Sequence, residues 1–401
     1  VVNLRDIESG DRGFVHVGTW EEENAVLEDI SLHEFGFTFD HNFHFHDGSI
    51  DPPDIDIRPP VTYWSCEDKK MKTDTTGKIQ LDPPGPDAKN IADFYHCDRF
   101  MDCRNFSDES YDCIESNYRT VFIIFGIATG ICILLSCLLI IFVIVFGYCF
   151  RRVRIRSASP PFLLVILVSV IFGFSSIFAW FGQPNAVGCG FQPWLLGLSL
   201  TSMVSVLVAK NIRIYQIFRS PLKRKTVSDF RVGIFYLILM IPAVFILFLW
   251  TLISTPTGIL EEHHDEEHFV CATGGFTGPP GGIVFFSIFV AYIAFTLIIG
   301  AVISFLTRNV PSMFNESKLI AISIYNLTIL GVIIVPVYFV LQEFNPFVSW
   351  IIRSVAIIYG FLATLLLLFF PKMWGLLKDG GFDPSSFATS RNKSSTSIQS
   401  G

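Results

Sequence analysis

Seven long apolar runs between Val121 and Trp374 constrain the fold of this chain more than any other feature. They are Val121–Phe150, Phe162–Phe181, Gly190–Phe218, Val232–Ser254, Ile283–Leu306, Lys318–Leu341 and Phe347–Phe370. A membrane span needs about 20 mostly apolar residues, because the hydrocarbon core is about 30 Å thick and a helix rises about 1.5 Å per residue. In lipid every backbone polar group must be satisfied within its own segment, so these runs are helices. The fold class is an all-α membrane protein: a seven-transmembrane-helix bundle, with a short outer segment ahead of it that contains a β hairpin and a disulfide-stapled stalk.

Charge gives the bundle a direction. Basic residues follow the first run (Arg151, Arg152, Arg154, Arg156), the third (Arg219, Lys223, Arg224, Lys225), the fifth (Arg308) and the seventh (Lys372, Lys378). The alternate loops are neutral or acidic, above all residues 261–268. Loops rich in Lys and Arg stay in the cytoplasm. The N-terminus is therefore expected outside, the C-terminus inside, and the location is the plasma membrane. The chain opens at Val1 with no initiator Met and no signal peptide, so a piece beginning inside a larger extracellular domain is expected.

Cysteine placement agrees. Cys66, Cys97, Cys103 and Cys113 lie in the outer segment, an even number suited to an oxidising compartment. Cys132, Cys137 and Cys149 lie in or beside the first run, as unpaired apolar residues or, near Cys149, as a lipid-modification site. Cys189 opens the third run and Cys271 precedes the fifth, both on the outer side. A bridge between them would tie that loop over the bundle; the alternative is two free thiols.

Within the outer segment, Val1–Leu4 and Gly13–Gly18 flank Gly10-Asp11 and read as a hairpin. Residues 52–86, rich in Pro, Asp and Lys, read as a connector. His41-Asn42-Phe43-His44-Phe45-His46-Asp47 and the Glu/His loop at 261–268 both have metal-like spacing. With no further ligand fixed near either by sequence, both read as solvated polar stretches. The run from Cys97-Asp98-Arg99-Phe100-Met101-Asp102-Cys103 through Asn105-Phe106-Ser107-Asp108-Glu109 to Cys113 resembles the C-terminal half of an LDL-receptor class A repeat. That resemblance implies a Ca²⁺ caged by hard oxygen ligands, with Asp98, Asn105, Asp108 and Glu109 as candidates. Asn105 and Phe106 stand where the repeat has Asp and Gly, and two of its six cysteines are missing. Asn105-Phe106-Ser107 is also a glycosylation sequon, which opposes a ligand role for Asn105. The other reading is a disulfide-stapled stalk without metal.

One pair of charges stands out at the inner membrane edge. Lys210 lies 21 residues after Cys189, about 30 Å along a helix. Glu316 lies just before the sixth run, at the same face. The two can pair and hold helices three and six together, or each can reach water along its own stem.

Several motifs around these residues resemble class C (family 3) G-protein-coupled receptors. They are Phe314-Asn315-Glu316-Ser317-Lys318 leading to Ser323-Ile324-Tyr325-Asn326, the later Pro336-Val337, Trp194-Leu195-Leu196-Gly197-Leu198, Ala209-Lys210, Ser157-Ala158-Ser159-Pro160 and Phe370-Pro371-Lys372. The Ser-Ile-Tyr-Asn run is most similar to the GABA type B branch, beside the metabotropic glutamate-like receptors. The resemblance covers about residues 156–374. It implies an inactive-state lock at Lys210 and Glu316, a Cys189–Cys271 disulfide, an extracellular small-molecule ligand that is amino-acid-like, a heterotrimeric G protein as partner, and a dimer. It also makes residues 1–20 the closing hairpin of a bilobed ligand-binding domain, so that the ligand site lies upstream of Val1.

The expected division is 1–55 as the remnant of that domain, 56–117 as stalk, 118–378 as bundle and 379–401 as a Ser-rich cytoplasmic tail. The loop containing Arg219, Lys223, Arg224 and Lys225 is the candidate G-protein contact, or carries topogenic charge only. A retinal protein needs a Schiff-base lysine in the seventh helix, and Phe347–Phe370 has none. A seven-helix transporter, the alternative together with an orphan sensor lacking G-protein coupling, would want carboxylates at mid-membrane, and none of the runs has an Asp or Glu at its centre. Nothing suggests an enzyme, a required cofactor beyond that Ca²⁺, or nucleic-acid binding.

Overall fold

A computed structural model describes residues 2–6, 12–16, 18–20, 37–39, 60–76, 78–110, 112–149, 159–219, 228–263, 266–273, 280–307 and 316–378. The chain divides into two units. In the first, residues 1–61 and 73–79, β1 (Val2–Asp6) pairs antiparallel with β2 (Arg12–His16), Val2 opposite His16 and Asp6 opposite Arg12. β3 (Gly18–Trp20) pairs with β4 (Phe37–Phe39), an addition to the hairpin the sequence suggested. The histidines at 41–46 lie outside the described residues.

The second unit holds the stalk and the bundle. The connector expected over residues 52–86 contains strands instead. β5 (Val61–Ser65) is the middle strand of a three-stranded sheet, between β6 (Lys70–Asp74) and β7 (Asn90–Ala92). Val61-Thr62-Tyr63-Trp64 is β-branched and aromatic, and such residues favour a half-buried pleated surface over a polar linker. Trp64 is buried with Cys66, Ile91 and Cys103 in a small core. The Cys66–Cys103 and Cys97–Cys113 bridges close it. A module this small has too little apolar surface to hold itself together without such staples.

Among the described residues seven helices are long and apolar enough to span a membrane. They are α1 (Tyr118–Ile144), α2 (Pro160–Phe178), α3 (Ala186–Arg219), α4 (Asp229–Ile253), α5 (Pro280–Thr307), α6 (Glu316–Phe344) and α7 (Pro346–Lys378). Their starts carry local signals. Asn117 Oδ1 accepts the Thr120 amide at α1, Pro160-Pro161 opens α2, and Ser228 Oγ accepts the Phe230 amide at α4. Ile124, Ile127, Ile131, Leu134, Leu138 and Ile141 form an exposed apolar stripe along α1, a face that only lipid solvates well. The chain is thus a multi-pass membrane protein.

α3 is the central helix. Of its spanning stretch 72% is buried, against 17% for α4 and 22% for α5. The core gathers around it, with Met203, Val204 and Leu207 of α3 packed among Leu163, Ile166 and Leu167 of α2 and Ile320 and Ile324 of α6. Between α4 and α5 a hairpin of β8 (Pro256–His263) and β9 (Glu266–Thr273) covers the end of the bundle next to the stalk, the end that the charge pattern expects outside and hereafter the outer end. The Cys189–Cys271 bridge pins that hairpin to the top of α3.

Candidate functional site

Two polar places stand out among the described residues, one within the bundle and one in the stalk ahead of it. The inner one is built on the last turns of α3. Asn211 is fully buried, and its Nδ2 donates to Ser304 Oγ at 2.6 Å and, at 3.4 Å, to the Gly300 carbonyl of α5. Thr307 Oγ1 donates to Asn211 Oδ1 at 3.2 Å. Gly300 permits this approach, since a Cβ there would sit 2.8 Å from Val208 Cγ2. Two residues on from Asn211, Arg213 Nη1 reaches Asp229 Oδ1 of α4 at 2.7 Å and donates to Ser159 Oγ at 2.8 Å. Lys210 is buried, with 7% exposed. Glu316 is the first residue of α6; its side chain lies outside the described ones. Arg219 closes α3, while Lys223, Arg224 and Lys225 lie outside the described residues.

The outer place is the second disulfide loop of the stalk. Asp98, Asp102, Asp108 and Glu109 converge there, and the last three are fully buried. Three of the carboxylates repeat one arrangement. One oxygen is held by a backbone amide: Asp98 Oδ1 by Phe100 at 2.8 Å, Asp108 Oδ2 by Asp102 at 2.7 Å, Glu109 Oε1 by Arg99 at 2.8 Å. The other oxygen (Asp98 Oδ2, Asp108 Oδ1, Glu109 Oε2) is buried and accepts no hydrogen bond, although Asp98 Oδ2 has His268 Nδ1 at 3.5 Å. Burial, then the neighbouring Asp102, pushes the Asp98 carboxyl up to about 10. Burial also raises Asp108 well above the usual carboxylate range and Glu109 to about 7. A buried oxygen without a partner is costly, and several carboxylates in one pocket cannot all stay ionised without a cation. Hard oxygen donors of this kind suit Ca²⁺, and Asp98 also lies with Glu266 and His268 within 4.8 Å, the spacing one ion can bridge.

This geometry revises the ligand set read from sequence. Asp98, Asp108 and Glu109 meet. Asn105 does not join them: it is exposed, its Nδ2 donates to the Cys66 carbonyl at 2.8 Å, and its Oδ1 turns back to the Ser107 amide. Asp102, fully buried, stands near Asp98 instead. Phe106, the other departure from the repeat, has φ 46° and packs edge-on against Phe122 of α1 at 5.6 Å. Its side chain anchors the stalk on the bundle.

The loop at 261–268 also differs from its reading as solvated. His268 of β9 is buried, stacks on Phe100 at 3.8 Å and lies edge-on to Tyr95 at 5.5 Å. Its Nδ1 is 3.2 Å from Asp102 Oδ2 and 3.5 Å from Asp98 Oδ2. The Glu/His run alternates along a strand, so His268 and Glu266 face the stalk while Glu267 is exposed. His96 lies beside the Cys97–Cys113 bridge, but both sulfurs are consumed by it, so that trio offers no thiolate.

A central helix disulfide-tied to an outer hairpin, with a stapled module seated above it, defines a membrane protein whose outer parts are mechanically joined to its spans. The family described as "7 transmembrane sweet-taste receptor of 3 GCPR" matches residues 116–372. The chain belongs to that family, the class C G-protein-coupled receptors. Among curated relatives it is 29% identical to metabotropic glutamate receptor-like protein E of Dictyostelium discoideum over 279 residues, which is 68% of this chain and 32% of that protein. Protein N of the same series is 30% identical over 282 residues, 68% and 31% of the two chains. Protein B is 30% identical over 267 residues, 66% and 35%. The chain spans about a third of the length of these relatives.

Proposed function

We propose that this chain transmits closure of an extracellular ligand domain, across the plasma membrane, to a heterotrimeric G protein. Lys210 carries this reading. A lysine this deeply buried in a spanning helix is retained at a cost, and such residues mark function. It sits one residue before the Asn211 clasp, near the inner end of the central helix. Glu316 begins α6 at the same membrane face, and a Lys210–Glu316 contact would hold α3 against α6 until activation separates them. The basic loop from Arg219 through Lys223, Arg224 and Lys225 would then meet the G protein. Disulfides at one end of the bundle and basic loops at the other support an N-terminus outside and a C-terminus in the cytoplasm. The family favours an amino-acid-like ligand and a dimer, and Ser323-Ile324-Tyr325-Asn326 favours the GABA type B branch.

The test is ligand-independent G-protein activation in cells expressing Lys210→Ala, normalised to surface protein. A rise of several-fold is expected. Basal signalling equal to wild type at equal surface amounts refutes the lock, and a chain that activates no G protein in either form is a sensor that signals otherwise.

A second reading concerns the stalk. The buried oxygens Asp108 Oδ1 and Glu109 Oε2, which accept no hydrogen bond, favour a Ca²⁺ held by these residues with Asp98 and Asp102. When bound, the ion would neutralise the cluster and brace the loop between Cys97 and Cys113. Calorimetric titration of the purified chain with CaCl₂ checks this. Binding should be seen in wild type and lost in Asp108→Asn; equal heats from both would rule the cage out.

A further inference from the structure

The stalk carboxylates are not all positioned by the stalk. Backbone amides of residues 99, 100, 102 and 103 hold Asp98, Asp108 and Glu109. His268 Nδ1 also comes within 3.5 Å of Asp98 Oδ2, but Asp102 depends most on contacts from outside the stalk. Its carboxylate is reached by His268 Nδ1 at 3.2 Å and, at 3.5 Å, by the Phe269 amide, both on β9. Its backbone carbonyl accepts Gln183 Nε2 at 2.8 Å, from the connection between α2 and α3. The one remaining member of the acidic group is thus oriented by two outer loops of the bundle, and β9 is covalently tied to α3.

Resting on the Ca²⁺ reading above, we propose that the cage is a joint shared between stalk and bundle, in which His268 is the positioning residue for Asp102. A histidine that donates to a ligating carboxylate fixes the carboxylate's orientation and raises metal affinity. His268 is itself fixed by its stack on Phe100 and its burial. The consequence is linkage. Docking of the β8–β9 hairpin completes the cage and strengthens cation binding. By reciprocity, cation binding strengthens docking of the hairpin on the stalk, by the same factor. Extracellular Ca²⁺ then stiffens the route from the outer segment to α3. No ligand need touch the bundle for this to occur.

The experiment uses the full chain in lipid nanodiscs with CaCl₂ as probe and two readouts. Calorimetry gives affinity, and hydrogen exchange of residues 266–271 gives hairpin docking. Wild type should bind Ca²⁺ and show slower hairpin exchange in calcium than in chelator. His268→Ala should bind about 10- to 100-fold more weakly and lose the calcium-dependent protection. Gln183→Ala, which releases Asp102 from another side, should weaken binding in the same direction. If wild type binds no Ca²⁺, the cage reading fails and this proposal with it. If wild type and His268→Ala bind equally, and hairpin exchange ignores calcium, the cage stands and the joint is overturned. Should His268→Ala not fold, the wild-type exchange comparison decides alone.

Discussion

Gly173→Ala offers a direct measure of how tightly α2 and α7 are packed. A Cβ placed on Gly173 would lie 2.5 Å and 2.6 Å from Cε2 and Cε1 of Phe361. Carbon atoms in good contact sit about 3.5–4.0 Å apart, so the ring must retreat by about 1 Å. It has little room to do so. Phe361 is 3% exposed, and its edge already meets Phe174 with centroids 6.0 Å apart. Overpacking of this kind costs about 1–3 kcal/mol, and loosening the ring pair adds part of another ~0.5–1.5 kcal/mol. At about 2–4 °C per kcal/mol, the melting temperature of the purified chain in detergent should fall by roughly 2–16 °C. Trp fluorescence during a thermal ramp reads this. Phe361→Leu combined with Gly173→Ala should recover stability, giving a favourable interaction energy of about 1 kcal/mol or more in the double-mutant cycle. A tolerated Gly173→Ala, or strictly additive effects, would mean that the ring does not rest on the glycine.

Two further outcomes follow from the polar places. Asn211→Leu removes the bridge from α3 to Ser304 and Thr307 of α5. Intramembrane side-chain bonds average about 0.6 kcal/mol each, so a loss of about 1–2 kcal/mol is expected in the same thermal assay, and an unchanged melt would discount the clasp. The acidic cluster predicts a pH dependence in chelator. Folded Glu109 and Asp98 keep protons up to about 7 and about 10, whereas the unfolded chain releases them in the usual carboxylate range. Stability of the stalk should therefore fall as pH rises from about 5 to 8, because the folded state binds more protons there. Excess Ca²⁺ should flatten or reverse that slope; a stalk whose exchange in chelator is the same at both pH values contradicts the burial of these groups.

Much of this was legible in the sequence, for reasons that can be named. The spans were, because lipid requires long apolar runs and admits only helices. Cys189 and Cys271 were legible as neighbours of an outer loop, and their bridge is present. The strands at Val61–Ser65 and Lys70–Asp74 were masked by surrounding Pro and Asp, although Val61–Trp64 alone has strand character. The acidic site was half legible. A disulfide loop keeps local acids together, and the resemblance to an LDL-receptor class A repeat pointed to Asp98, Asp108 and Glu109. His268 could not: it lies 166 residues from Asp102, on a hairpin whose register decides whether it faces protein or water. Spacing carries no such information, and a Glu/His run looks solvated until its partner surface is known.

The bundle's polar contacts also bear on where a signal would go. Trp194 of α3 donates to Thr251 of α4 at 2.7 Å near the outer end. In mid-bundle Ser202 meets Ser169 of α2 at 2.8 Å and Tyr236 of α4 at 3.0 Å. Asn211 and Arg213 repeat the pattern at the inner end with α5 and α4. Helices α2 to α5 are thus stitched to α3 at three depths, and Asn326 ties α6 to Tyr359 of α7 at 2.8 Å. The Cys189–Cys271 bridge delivers the outer hairpin to α3, the member of the first group that touches all the others in it. A displacement arriving from the stalk is therefore shared by that group before it reaches α6. On the proposed mechanism the relative movement falls between α3 and α6, where Lys210 and the start of α6 share the inner face. This is why Lys210→Ala tests the transmission itself, whereas Gly173→Ala and Asn211→Leu test only how firmly the groups are held.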